Sequence, residues 1–319
     1  MKPITTITAL AAALTITASA SVIATAPEAP VATTTRGGFE TARRPITNPT
    51  LFDLALPTTN IHPIYIYHGL PNQVSIPGGT IPMGGNVQVY ALQFEIAFTE
   101  RLSLVATKDG YVQIDPKTTP LWSDKSGFAN IAAGLKYAFI LDPVNELAVS
   151  GTATIEFPTG NHDVFQGEGD GAINLIVSAL KMVDDLQLAG GAGVKIPFDG
   201  QMATTSFMSG HISYEVVPWF IPLVELNWHH VLDAGNGRPS FFGQAGGAVP
   251  VVAAFEGHDL LNFGAVNAFH NRDLVTVAAG FRSRLSESVD VGFAYEFPIT
   301  SREKGIIDER FTLDLIWTF

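Results

Sequence analysis

From residue 61 onward, apolar and polar side chains alternate with a period of two, and no long stretch carries the period of an amphipathic helix. The ending DERFTLDLIWTF shows the pattern best. Phe311, Leu313, Leu315, Trp317 and Phe319 share one face, while Arg310, Thr312, Asp314 and Thr318 share the other. The same alternation predicts strands over 61–68, 86–98, 102–113, 128–140, 146–157, 169–180, 186–197, 205–216, 219–230, 273–284, 288–298 and 309–319, twelve in all. Strands of about ten residues are long enough to cross a bilayer at a tilt.

The connections carry a second pattern, because short and long ones alternate. TER, LDPVN, KMVDD, VP and LSE are short; GLPNQVSIPGGTIPMGG, PTGNHDVFQGE, ITSREKGIID and the whole of 231–272 are long. Outer-membrane barrels have short periplasmic turns, long external loops and an even number of strands. On that scheme the first strand rises, the twelfth descends, and both ends of the barrel lie on the short-turn side. The count has one alternative. VPVVAAFEGHDLLNFGAVNAF, within 231–272, could add a strand pair and give fourteen strands, which also preserves parity. Twelve is preferred because those runs are short and poorly alternating.

The two strand faces differ in chemistry. Tyr90, Leu92, Phe94 and Ile96, Leu135, Tyr137 and Phe139, and Phe293, Tyr295 and Phe297 fall on the apolar face, with aromatics near strand ends as membrane girdles require. The other face is rich in Gly, Ala, Ser and Thr. Its charged and histidine positions are the expected pore lining: Glu95, Arg101, Lys136, Glu156, Lys195, His211, Glu225, His229, Arg282, Arg284, Glu296, Arg310 and Asp314. The signs are interspersed, unlike the single-sign rings of a strong ion filter. Turn geometry puts Arg284 near Asp290 and Arg101 diagonal to Glu95, within cross-strand reach. Such groups can brace the wall, pass a solute, or do both. A soluble β-sandwich or lipocalin-like barrel would alternate in the same way. It would also need a bulky apolar core opposite a charged surface, and only 15% of these residues are charged. The expected fold class is therefore an all-β, antiparallel transmembrane β-barrel in a bacterial outer membrane.

Composition narrows the partners. The net charge of −12 argues against nucleic acid. The absence of cysteine excludes disulfides, thiolate metal sites and a lipid-anchored cysteine, and it suits passage through an oxidising periplasm. Residues 1–26, MKPITTITALAAALTITASASVIATA, read as a cleaved signal peptide with small-x-small sites ending at Ala20 and Ala26. Residues 27–60, Pro- and Thr-rich over 27–50, read as a flexible segment ahead of a barrel over 61–319. The adjacent pairs His162/Asp163 and His258/Asp259 supply no converging metal ligands by spacing. No cofactor and no metal are expected. The expected partners are outer-membrane lipids, the barrel assembly machinery and a small-molecule solute.

The stretch GFANIAAGLKYAFILDPVNELAVSGTATIEFPTGNHDVFQGEGDGAINLIVSAL resembles the outer-membrane barrel family associated with the meta-pathway of phenol degradation. The elements that carry the likeness are GLKY (Gly134–Tyr137), FPTG (Phe157–Gly160) and the return GEGDG (Gly167–Gly171), with DLVTVAAGFRSRLSESVDVGFAYEFPIT as the closing hairpin. The resemblance covers most of 86–319 and implies a barrel of about twelve strands that transports small, often aromatic, compounds. It implies no set of functional residues.

Three functions compete. The first is a channel or transporter for small solutes, aromatic or hydrophobic ones among them. The second is a structural or surface-interaction barrel with a plugged lumen. The third is a lipid hydrolase, since outer-membrane phospholipase barrels also have twelve strands and a Ser-His pair on the lipid face. Strand parity sets Ser206 opposite His230 at the external rim, but sequence offers no third group to orient the histidine. The expectation is therefore a non-enzyme with no catalytic residues.

The terminal aromatics Trp317 and Phe319 resemble the signal that barrel assembly machinery reads. Deleting Phe319 should lower the amount of folded barrel in outer-membrane fractions several-fold, read by heat-modifiable gel mobility. Molecules already inserted should keep their unit conductance.

Overall fold

The computed structural model describes residues 38–319 apart from 77–78, 118–122, 168, 236–255, 258–259, 263–271 and 303–305. The expected signal peptide lies outside the described residues. The wall strands are β1 (Asn60–Gly69), β2 (Gly85–Ala97), β3 (Leu102–Lys108, continued by Tyr111–Pro116), β4 (Lys125–Phe128, continued by Ile131–Asp142), β5 (Leu147–Phe157), β6 (Ala172–Val183), β7 (Leu186–Pro197), β8 (Thr204–Tyr214), β9 (Ile221–Asp233), β10 (Asp273–Ser286), β11 (Val289–Pro298) and β12 (Glu309–Thr318). Each pairs antiparallel with the next. β1 also pairs with β12, from Asn60 opposite Thr318 to Gly69 opposite Glu309, so the sheet closes on itself and leaves no edge.

Among the described residues the wall therefore has twelve strands. Within 231–272, Glu256–Gly257 pairs with Leu261–Asn262 in a separate two-stranded sheet, and most of that segment lies outside the described residues. A further hairpin, Gln73–Ile76 with Gly79–Pro82, and a helical turn at His162–Val164 belong to the long-loop end.

Two departures from the expected strands have local causes. The sixth strand, expected over 169–180, runs Ala172–Val183. Gly167, Gly169 and Gly171 take φ of 71°, 77° and 94°, which a strand cannot accommodate, so the ladder starts after them. In β3 the register shifts between Ala106 and Lys108. Such a bulge reverses which face a side chain meets. Lys108, Val112 and Ile114 consequently point inward, where strict alternation from Ser103 and Val105 would send them to lipid.

Tyr90, Leu92, Phe94, Tyr137, Phe139, Leu313 and Trp317 are exposed on the outside, while Glu95, Lys136, Glu225, Arg282, Glu296 and Arg310 are buried inside. A closed barrel, apolar without, pairs its strand amides with one another while facing lipid, which is the condition for crossing a membrane with strands.

The segment before β1 differs most from expectation. Residues 27–60 were expected to be flexible, yet Phe39, Ala42, Arg43, Ile46, Thr47, Asn48, Leu51, Phe52, Asp53 and Leu54 are all buried. Residues 38–59 form an irregular plug against the inner wall, with a tight turn at Asn48 (φ 53°) whose carbonyl accepts from the amides of Leu51 and Phe52. Its apolar side chains have inward-facing partners: Phe39, Leu54 and Leu56 pack on Ala148, Leu180 and Met182, and Leu51 packs on Ile176 and Phe207. Burial of such side chains is worth about 1.5–3 kcal/mol each, enough to hold an otherwise structureless segment in place.

Candidate functional site

The inner wall and the plug together make one polar cluster system. At the short-turn end, Arg43 donates to Ser213 Oγ (3.0 Å), Glu215 Oε2 (3.1 Å) and the Asp185 carbonyl (3.1 Å), and its own amide donates to Gln187 Oε1 (2.7 Å). Arg284 shares Glu215 at 3.1 Å and stands 3.8 Å from Asp290, the pairing that turn geometry anticipated. Higher in the lumen, Glu225 accepts from the amides of Ile46 (2.9 Å) and Thr47 (2.7 Å) and from the Thr47 hydroxyl (2.5 Å). His211 Nδ1 lies 2.7 Å from the same carboxylate.

On the opposite wall, Lys136 bridges Asp53 Oδ2 (2.5 Å) and Glu95 Oε2 (3.0 Å), and Arg44 contacts both carboxylates. Two cations meet two anions there, so the cluster is neutral. Glu95 also accepts from the Thr58 amide (3.1 Å) and Ser103 Oγ (2.6 Å). Burial pushes the Asp53 carboxyl up, but Arg44 and Lys136 outweigh burial and hold it below the ordinary carboxylate value.

Two further sets extend from plug to wall. Arg282 grips Asp314 with both nitrogens (3.1 and 2.9 Å), His62 Nε2 lies 2.8 Å from that carboxylate, and Gln93 next to His62 donates to the plug carbonyl of Pro49 (3.0 Å). Asn227 donates to Thr47 Oγ1 (2.9 Å) and Glu296 Oε1 (3.1 Å), and Arg310 stands 3.7 Å from Glu296. Above these, Glu156 is shared by Lys108 and Lys195, each at 2.6 Å.

Of the positions expected on the inner face, Glu95, Lys136, Glu156, His211, Glu225, His229, Arg282, Glu296, Arg310 and Asp314 are buried inside, and Lys195 and Arg284 are partly buried there. Most of these meet the plug or one another. Arg101 is the exception. It sits exposed in the β2–β3 turn, outside the strand alternation, and donates to the carbonyls of Ala138 (3.1 Å) and Phe139 (3.3 Å) rather than reaching Glu95. Trp317 and Phe319 are exposed on the outside with stacked rings 4.9 Å apart, and the Phe319 amide donates to the Thr59 carbonyl (3.0 Å).

Sequence reasoning missed Lys108, His62 and every plug residue. Lys108 was hidden by the bulge. The plug had a signal: Phe39, Arg43, Arg44, Ile46, Leu51, Phe52 and Leu54 are dense in bulky and basic side chains for a tail in so charge-poor a chain.

The small residues on the inner face serve the plug. A Cβ on Gly292 would lie 2.3 Å from Asp314 Oδ1 and 2.8 Å from Ile46 Cδ1. A Cβ on Gly191 would lie 3.1 Å from the Phe52 ring. Above the plug turn a small cavity remains. Pro49 and Thr50 form its floor, Ile64, Ile66, Val87, Val89 and Val112 its wall, and Gln166 and Leu260 come from the long-loop end. Lys108, Asp109 and Gln93 join Thr50 and Gln166 as its polar residues.

No family model and no curated protein matches the chain. Among solved structures, an outer-membrane channel from Pseudomonas putida F1 is similar at 15% identity and a TM-score of 0.54, covering 82% of this chain and 96% of that one. The NanC porin (7% identity, TM-score 0.47, 82% and 100% covered) and the KdgM porin in complex with disordered oligogalacturonate (8%, 0.44, 82% and 99%) are more distant. The first likeness shows a shared fold. With the apolar belt around its closed wall, the chain is an outer-membrane β-barrel.

Lys136→Ala should cost roughly 3–5 kcal/mol, because Asp53 and Glu95 would stay buried with Arg44 as the one cation between them. Denaturant unfolding followed by heat-modifiable mobility reads this. Because the folded Asp53 value is depressed, its contribution is present above the unfolded pKa of about 4 and is lost as pH falls through the lower folded value. Hydrogen exchange at 51–56 should therefore match at pH 5 and pH 7, after correction for intrinsic rates, and rise only in stronger acid.

Proposed function

We propose that the barrel is an outer-membrane channel for small solutes, aromatic or hydrophobic ones among them, with the 38–59 plug as its constriction, and that it belongs with the phenol meta-pathway barrels it resembles. The observation that carries this reading is the cavity above the plug turn. Its wall is made by Ile64, Ile66, Val87, Val89 and Val112, apolar side chains on the inner face of the barrel. A site of this kind favours a small apolar molecule. Lipids bathe the apolar belt, and Trp317 and Phe319 are the residues proposed to be read by the assembly machinery.

The plug's many contacts also favour a second reading, in which the lumen stays closed and the barrel acts through its loops or as structure. Planar-bilayer conductance separates the two. On the channel reading the wild type passes small ions in small steps, and deletion of 39–57 raises the step several-fold, as suits a barrel intermediate between filled eight-stranded and open sixteen-stranded ones. A wild type without conductance and without solute flux in liposomes would favour the closed barrel.

The cavity gives a sharper expectation. Val87→Thr and Val89→Thr together should weaken phenol or benzene binding roughly tenfold, since each added hydroxyl must be desolvated at a cost of about 1–3 kcal/mol. Ion conductance should not change. Titration calorimetry in detergent and single-channel recording read the two effects.

A further inference from the structure

The outer face of the wall carries a row of polar groups that the lumen does not use. Ser206 on β8 stands opposite His230 on β9, and His230 stands opposite Asp273 on β10. All three point outward, because their neighbours Phe207, His229 and Leu274 are buried inside. They lie at the long-loop end, where β8 and β10 begin and β9 ends.

His230 Nδ1 lies 2.8 Å from Asp273 Oδ1. The Trp228 indole donates to the same oxygen at 2.8 Å, and its ring packs 5.5 Å from the His230 ring. The aspartate is thus the orienting group that the sequence did not offer. Among the described residues, His230 Nε2 and Ser206 Oγ have no other hydrogen-bond partner. Directly opposed residues keep their Cβ atoms about 4.5–5.5 Å apart, within a rotamer change of a hydroxyl–imidazole hydrogen bond. Such bonds are often unmade until substrate binds. The His230 side chain keeps 27% of its surface, so the row is open to the outer leaflet.

We propose that Ser206, His230 and Asp273 form a serine hydrolase centre on the lipid side of the external rim, acting on carboxylic esters of amphiphiles. Ser206 Oγ forms a bond to the ester carbonyl carbon as His230 Nε2 takes the hydroxyl proton. The carbon–oxygen bond to the alcohol then breaks, and His230 returns the proton to the departing oxygen. Water, deprotonated by His230, attacks the acyl-serine and releases the carboxylic acid and free Ser206. Ester and water give acid and alcohol, with no other co-reactant. Asp273 is a positioning residue: it holds the imidazole tautomer with Nε2 toward Ser206 and steadies the imidazolium.

The test uses the full barrel refolded in detergent. A long-chain fluorophosphonate should modify Ser206, identified by peptide mass, and the protein should hydrolyse dioctanoyl phosphatidylcholine in mixed micelles. Ser206→Ala and His230→Ala should each lower hydrolysis at least 100-fold. Asp273→Asn should lower it at least tenfold and move the acidic limb of the pH profile, which a merely structural role would not do. Heat-modifiable mobility and conductance check folding, and both should be unchanged in Ser206→Ala. Absence of the phosphonate from wild-type Ser206, or hydrolysis unchanged in Ser206→Ala, would overturn the proposal whatever the channel does.

Discussion

A charge turned into a narrow barrel must find an opposite charge. The lumen is low in dielectric, and an unpaired ion there costs several kcal/mol. Much of the interior follows from that constraint. Lys136 holds Asp53 and Glu95, Arg282 holds Asp314, Arg43 and Arg284 hold Glu215, and Lys108 and Lys195 hold Glu156. Arg43, Arg44 and Asp53 come from the plug, so the wall and the plug complete each other's pairing. Neither would be electrostatically settled alone.

The plug has a steric counterpart in the wall. Glycine at 292 and 191 leaves the volume that Ile46 and Phe52 fill. What looks like a small-residue water channel along the strands is a seat shaped for a segment of the same chain. The free space that remains lies above the plug turn, where the β3 bulge has rotated Val112 and Ile114 inward beside Ile64, Ile66, Val87 and Val89. Displacing one residue in one ladder thus adds Val112 and Ile114 to the apolar side chains that β1 and β2 already turn inward.

The outer face obeys a different rule. Facing lipid, it is apolar over most of its height, and polar groups gather at the rims where water and headgroups can satisfy them. The row from Ser206 through His230 to Asp273 belongs to such a rim, and it is built by strand register. Three residues far apart in sequence are brought side by side because β8, β9 and β10 pair at those positions.

The period of two determined the strands, their number and the inward or outward sense of almost every side chain, because a pleated strand turns alternate residues to opposite faces wherever it lies. Short and long connections determined which end of the barrel is which. Arg284 beside Asp290 and Ser206 opposite His230 were legible for the same reason, since a tight turn fixes the register of the strands it joins. Register between strands joined by long loops, as for His230 and Asp273, was not legible, because no turn fixes it. Nor was the bulge that turns Lys108 inward, because one inserted residue leaves no mark in composition. The fate of residues 38–59 was decided by tertiary structure alone. Their side chains carry no regular period, and they become ordered only where the closed wall presents Glu225, Gln187, Lys136 and the space left by glycine.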